Sequence, residues 1–219
     1  MAALGRQVSD DVRVFVVRGS GHSFSAGLDR AMLDPTAGEG SVVGLLQHTD
    51  QEMADQIGLW QEAFTFLRDP KFVSIAAVQG YAIGAGFQLA LSCDLRVVAE
   101  DAQFSMKESA LGLVPDLTGT KPLVEAVGYA RALEICATAR MVGAAEAREI
   151  GLANLVVPAA ELEGAVADLA GALTAPMVGA VRETKALLQQ AAAHSLDEQR
   201  AVEREAQVRR FREVAALLG

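Results

Sequence analysis

The chain has few of the residues that build metal and redox centres: three histidines, His22, His48 and His194, and two cysteines, Cys93 and Cys136, in 219 residues. The histidines show no HExxH or paired spacing, so a metal site has no ligand set to stand on. Without CxxC spacing and in apolar surroundings, the cysteines exclude a zinc site or a redox pair and read as buried structural thiols. No GxSxG nucleophile elbow occurs. Gly84 and Gly86 lack the third glycine of a dinucleotide fingerprint, and "GTK" at 119–121 lacks the upstream glycine of a phosphate loop. Apolar runs such as 72–78 fall far short of the roughly 20 residues a membrane-spanning helix needs. The opening "MAALGRQVSDD" has neither the apolar nor the basic region of a signal peptide, so a cytoplasmic location is expected. Basic residues are also scarce, 19 against 28 acidic for a net charge of -9. That balance disfavours nucleic acid or an anionic membrane as a partner, and a polyanionic ligand would need a local basic patch.

What is present is a well-mixed globular composition, 51% hydrophobic and 21% charged, and one large domain is the expected arrangement. "VRVFVVRG" (12–19) reads as a buried strand running into the loop "SGHSFSAGLD". "FVSIAAV" (72–78) repeats that design and closes on Gly80 and a glycine loop, after which "GFQLALSC" has helical length and "DLRVVAED" (94–101) supplies a third strand. Strand, helix, strand at this spacing predicts parallel strands with a right-handed crossover, hence an α/β core. Between the first two strands, "DPTAGEGS" (34–41) reads as a mobile loop. Residues 45–70 form a helix with Trp60, Phe64 and Leu67 on one face, stopped by Pro70. From 118 onward the pattern is nearly all helical, interrupted by the short strand "LANLVVP". The apolar stripes of the Ala-rich final helices predict packing against neighbouring subunits.

Two strands thus run into small-residue loops that open helices, "FSAGLD" and "IGAGFQ". Free N–H groups at such starts can hold negative charge, and two that converge make an oxyanion hole. Ordinary tight turns would look the same. Of the acids, Glu108 and Asp116 lie in a loop-like segment between the sheet and the helical tail. On spacing alone Glu108 is equally a solvated loop carboxylate, and Asp116 equally the N-cap of a following helix. Gln88 reads as the N3 glutamine of a capping box whose side chain turns back to its own helix start.

The stretches "SFSAGLD", "AAVQGYAIGAGFQLALSCDLRVVAEDAQFSMKESALGLVPD" and "GYARALEICATARMVGAAEAREIGLANLVV" resemble the enoyl-CoA hydratase/isomerase, or crotonase, superfamily, in order over residues 12 to about 158. The resemblance implies a ββα-spiral core over 1–158, a C-terminal helical oligomerisation region over 159–219, and a homotrimer or a hexamer built as a dimer of trimers. It also implies an acyl-CoA thioester as substrate, with no metal or redox cofactor, coenzyme A being part of the substrate. The oxyanion donors then fall on the backbone N–H groups of Leu28 and Ala85, and Ala26, Asp29, Gly84 and Gln88 line the substrate site. The basic residue the family often places a little further on is not cleanly matched: Arg30 is near, but position 31 is alanine.

Three departures stand out. Typical hydratases carry glutamate where this chain has Gln88, with a second glutamate twenty residues on, Glu108 here. An amide cannot take the proton that water addition must shed. Position 116 is glycine in ordinary hydratases but aspartate in the dienoyl-CoA isomerase and dehalogenase branches. In the dienoyl isomerases a Glu and an Asp eight residues apart shuttle protons along the acyl chain. Glu108 and Asp116 match that pair, so double-bond isomerisation is expected ahead of hydration. The alternative is a non-catalytic acyl-CoA-binding member. Finally, the family usually begins with an additional strand and helix, whereas this chain opens almost directly on "VRVFVV". Either the start lies upstream or the first layer is absent, which would leave a sheet edge exposed or covered by a neighbouring subunit.

Overall fold

The structure, a computed structural model, describes residues 1–29, 32 and 42–218; Arg30 and the loop expected at 34–41 lie outside the described residues. A parallel four-stranded sheet forms the centre, in the order β1 (Val14–Arg18), β2 (Val73–Val78), β4 (Leu95–Ala99), β7 (Leu155–Val157). A second sheet of three short strands follows the order β3 (Tyr81–Ile83), β5 (Gln103–Ser105), β6 (Val142–Gly143), parallel at its first pairing and antiparallel at its second. The sequence does not reveal this sheet, because strands of two or three residues are too short to show alternation.

The expected crossover is present: β2 passes through α4 (Ala85–Ser92) to β4, and the two strands are parallel. Every residue of β2 is buried, as a strand covered on both faces should be. Alternate residues serve different cores. Ala76, Val78 and Val98 pack in the larger core with Phe87, Leu91 and Phe104, whereas Ile75, Ala77, Val97 and Ala99 pack beneath Leu162 and Val166 of α8 (Leu162–Thr174).

A short α1 (Ala2–Gly5) and α2 (Val42–Leu45) precede the long α3 (Asp50–Thr65), which starts later than the periodicity suggests. Its start is set by a complete capping box, with the Thr49 side chain on the Glu52 N–H and the Glu52 side chain on the Thr49 N–H. The helical pattern over 120–140 resolves into two helices, α5 (Thr120–Val127) and α6 (Tyr129–Thr138), which break at Gly128, whose φ of +79° ends a right-handed helix. The rest of the tail is α7 (Ala144–Glu149), α8, α9 (Val178–Ala191) and α10 (Leu196–Leu218). Among the described residues, no single helix is long and apolar enough to cross a membrane.

Two buried cations tie these parts together. The Lys185 ammonium of α9 donates to Asp94 Oδ2 at 2.7 Å and to the carbonyls of Asp69 and Phe72 at 2.8 and 2.7 Å, while Asp94 also accepts from the Ser74 N–H and hydroxyl. The guanidinium of Arg96 donates to the carbonyls of Cys93 and Ala90 at the end of α4, and to Leu152 O. It thereby satisfies carbonyls that the helix end leaves without partners.

Candidate active site

Two loops meet beside α4. Ser25 pairs with Ala82 in parallel fashion, and its carbonyl accepts the Ile83 N–H at 3.0 Å, so 24–25 runs along β3. A Cβ on Gly27, which has φ +90°, would lie 2.5 Å from Ile83 O and 3.6 Å from Ala85 N; only glycine admits this approach. Gly86 is similarly pressed, its Cβ position 2.5 Å from Ser25 O. The loop that carries the Leu28 N–H therefore lies against the first residue of α4. Among the described residues, no acceptor is hydrogen-bonded to the Leu28 or the Ala85 N–H. Ala26, Leu28 and Asp29 are exposed on this loop.

Gly84 caps α4 with φ +52° and ψ -119° and donates its N–H to Ser105 O. Its Cβ position is 3.4 Å from Glu108 Oε1 and 3.8 Å from Oε2, so the carboxylate lies directly against the helix start. Glu108 opens a 3₁₀ turn and is only 8% exposed. Its Oε1 accepts from Gln88 Nε2 at 2.7 Å, whereas Oε2 is buried without a hydrogen-bond partner. Burial pushes the Glu108 carboxyl above its ordinary value, and the charge of Asp116 adds to the rise; hydrogen bonds from its own backbone and from Gln88 pull the other way. Asp116, half-buried, is also raised by burial. Glu108 is thus no solvated loop acid.

Asp116 is not a helix N-cap: α5 begins after Gly119 with no side-chain cap. Nor does Gln88 cap α4, whose start has no side-chain hydrogen bond. Its side chain, fully buried, reaches away to Glu108 and to the N–H groups of Leu117 and Gly119, at 2.8 and 3.2 Å from its oxygen. The capping expectation failed because all of these partners are distant in sequence. Gln61 of α3, which no local pattern singles out, donates from Nε2 to Asp116 O at 2.7 Å. Of the two thiols, Cys93 is buried and pushed up to about 12 by burial. Cys136 is half-buried rather than buried, raised by desolvation and by the charge of Glu108. Among the described residues, no cluster of three or more His, Cys, Asp or Glu is arranged to hold a metal ion.

The profile of the enoyl-CoA hydratase/isomerase family matches residues 1–215. The chain belongs to the enoyl-CoA hydratase/isomerase family. Its α/β architecture with a C-terminal helical region is that of solved crotonase-fold proteins. A protein of Thermobifida fusca YX taken to be an enoyl-CoA hydratase, solved with CoA, is 49% identical with a TM-score of 0.91 over 98% of this chain and 82% of that one. The same protein solved with acetoacetyl-CoA gives 48% identity and a TM-score of 0.92 over 97% and 83%. Among curated enoyl-CoA hydratase/isomerase relatives, the peroxisomal Delta(3,5)-Delta(2,4)-dienoyl-CoA isomerase of Arabidopsis thaliana is 34% identical over 81% of this chain and 64% of its own length. The crotonyl-CoA hydratase of Syntrophomonas wolfei is 34% identical over 91% and 73%. The chain thus spans about two thirds of the length of these curated relatives.

Proposed function

We propose that this protein binds an acyl-CoA thioester and moves a carbon–carbon double bond along its acyl chain through an enolate. The Leu28 and Ala85 N–H groups would hold the thioester oxygen as it gains charge, where preorganised donors act most strongly. Glu108 and Asp116 would take and return the proton. The observation that carries this reading is the Glu108 carboxylate, fixed through one oxygen against the start of α4 while its other oxygen is buried and unpartnered. Water addition is disfavoured by Gln88: both lone pairs of its oxygen are engaged by Leu117 and Gly119, so it has none left to accept from a water molecule. The bound CoA and acetoacetyl-CoA of the T. fusca protein support the substrate class. Assembly as a trimer or a dimer of trimers through the 159–219 helices belongs to the same proposal; α10 leaves Phe211, Leu217 and Leu218 exposed.

Incubation with 3-enoyl-, 3,5-dienoyl- and 2-enoyl-CoA, followed by absorbance, tests it. The 3-enoyl or 3,5-dienoyl ester should be turned over faster than the 2-enoyl ester is hydrated. Protein that binds acetoacetyl-CoA yet converts none of them, or only hydrates, overturns the isomerase reading. Glu108→Gln and Asp116→Asn should each lower kcat by about 10²–10⁴.

A further inference from the structure

Gln88 and Gln61 grip a single peptide group from opposite sides. Asp116 O and the Leu117 N–H belong to the same peptide unit; Gln61 Nε2 of α3 donates to its oxygen at 2.7 Å, and Gln88 Oε1 of α4 accepts from its N–H at 2.8 Å. The Gln88 oxygen also accepts from the Gly119 N–H at 3.2 Å, and its Nε2 donates to Glu108 Oε1 at 2.7 Å. The orientation of this amide follows from its partners. Two backbone N–H groups can only donate, so the oxygen must face them and the NH₂ must face the carboxylate. Between the two tethered N–H groups sits Thr118 at φ +68°, a left-handed position unfavourable for a β-branched residue. A Cβ on Gly119 would lie 2.6 Å from Gln88 Cγ, so glycine is required for the side chain to pass.

We propose that Gln88, with Gln61, is a positioning residue: it selects Oε2 of Glu108 as the proton-handling oxygen and sets the turn that carries Asp116 at a fixed place relative to Glu108. The inference rests on the enolate reading above for what Glu108 does, not for how it is held. A glutamate at 88 could still accept from the Leu117 and Gly119 N–H groups. It would bring a second carboxylate to 2.7 Å from Glu108 Oε1, where two oxygens can sit only by sharing a proton. The neutral amide donates instead and leaves Glu108 free to ionise alone. The other ionisable groups facing Glu108 are Asp116 and, from α6, Cys136. Neither α4 nor β5 contains an ionisable side chain, Lys107 donates to Ala139 O, and Lys121 of α5 pairs with Glu125.

The test combines Gln88→Glu and Gln61→Leu with two readouts, the pH profile of kcat/KM and the titration of Glu108 followed by carboxyl ¹³C NMR. In Gln88→Glu both the acid limb and the Glu108 titration should move up by about one pH unit or more, in protein that still unfolds cooperatively. Gln61→Leu should lower kcat by about 10- to 100-fold, through misplaced Asp116, without moving the acid limb. In the wild-type protein, the Gln88 side-chain amide resonance should follow the Glu108 titration and lose that dependence in Glu108→Gln, a measurement that does not depend on the folding of any Gln88 variant. An amide indifferent to pH, or a Gln88→Glu protein whose Glu108 titrates as in wild type, overturns the proposal. A shifted titration in a protein that turns over no ester upholds it and overturns the enolate reading alone.

Discussion

At the scale of single residues, the site is built from positions where a larger or differently charged side chain has no room. Gly84 combines φ +52° with a carboxylate 3.4 Å from where a Cβ would stand. Gly84→Ala should therefore lose at least about 100-fold in turnover, since it displaces Glu108 and the Ala85 N–H together. It should also cost about 1–3 kcal/mol of stability through the backbone alone, read by urea unfolding. On the proposed function, Glu108 pulls activity and stability in opposite directions. Its carboxyl is raised in the folded protein, so the folded state holds a proton that the unfolded state has released, and stability falls as pH rises through the interval between the ordinary value and the raised one. Glu108→Gln removes that penalty. Its melting temperature should exceed that of the wild type at neutral pH, and the gap should close on acidification below the ordinary glutamate range. A wild-type protein that is the more stable at neutral pH would show that burial does not disfavour the Glu108 charge. The sequence singled out the two glycine loops by their local signature and the two acids by the family resemblance. Gln88 could be seen as an anomaly but not understood, because its partners lie 20, 29 and 31 residues away and none is implied by helical spacing. Gln61 acts through a backbone carbonyl 55 residues distant, and no residue type signals that.

Among elements, those long enough to express a period were the legible ones. β2, β4, α4, α8 and α9 follow the apolar patterns read from the chain, and the parallel pairing of β2 with β4 follows from the helix between them. β1, read as a buried strand, has no fully buried residue, because among the described residues it pairs on one side only. The small second sheet could not be read, yet it orients the site: β3 leads directly into Gly84, and Ser105 at the end of β5 receives the Gly84 N–H three residues before Glu108. Hidden in the same way was the role of α9, whose sequence shows a helical pattern but no tie to the sheet. Its Lys185 sits 8% exposed at the entrance to β2 and β4, with three acceptors and the ring of Phe72 5.4 Å below the ammonium. Lys185→Met would leave Asp94 without its charge partner. It should destabilise the protein by about 3 kcal/mol, seen as a lower urea midpoint at unchanged slope, with the acid limb of the activity profile unmoved.

For the molecule as a whole, the parallel sheet is the frame. One face supports α4 and the candidate site, and the other is closed by α8, so substitutions under Leu162 and Val166 act on stability while those around Phe87 and Phe104 border the candidate site. The last two helices add little to either core, and Ala206 is the one fully buried residue that α10 contributes. If the oligomer proposed above forms through them, Phe211→Glu should shift sedimentation toward the monomer, and an unchanged profile would move the contact elsewhere. The position of β1 has a further consequence. Among the described residues it pairs with β2 on one side only, and Val16 at its centre is 40% exposed. A strand with one open row of amides and carbonyls and no charge at its middle can template pairing with another chain. Slow turbidity at high protein concentration should begin there, and a lysine at position 16 should delay it without touching catalysis.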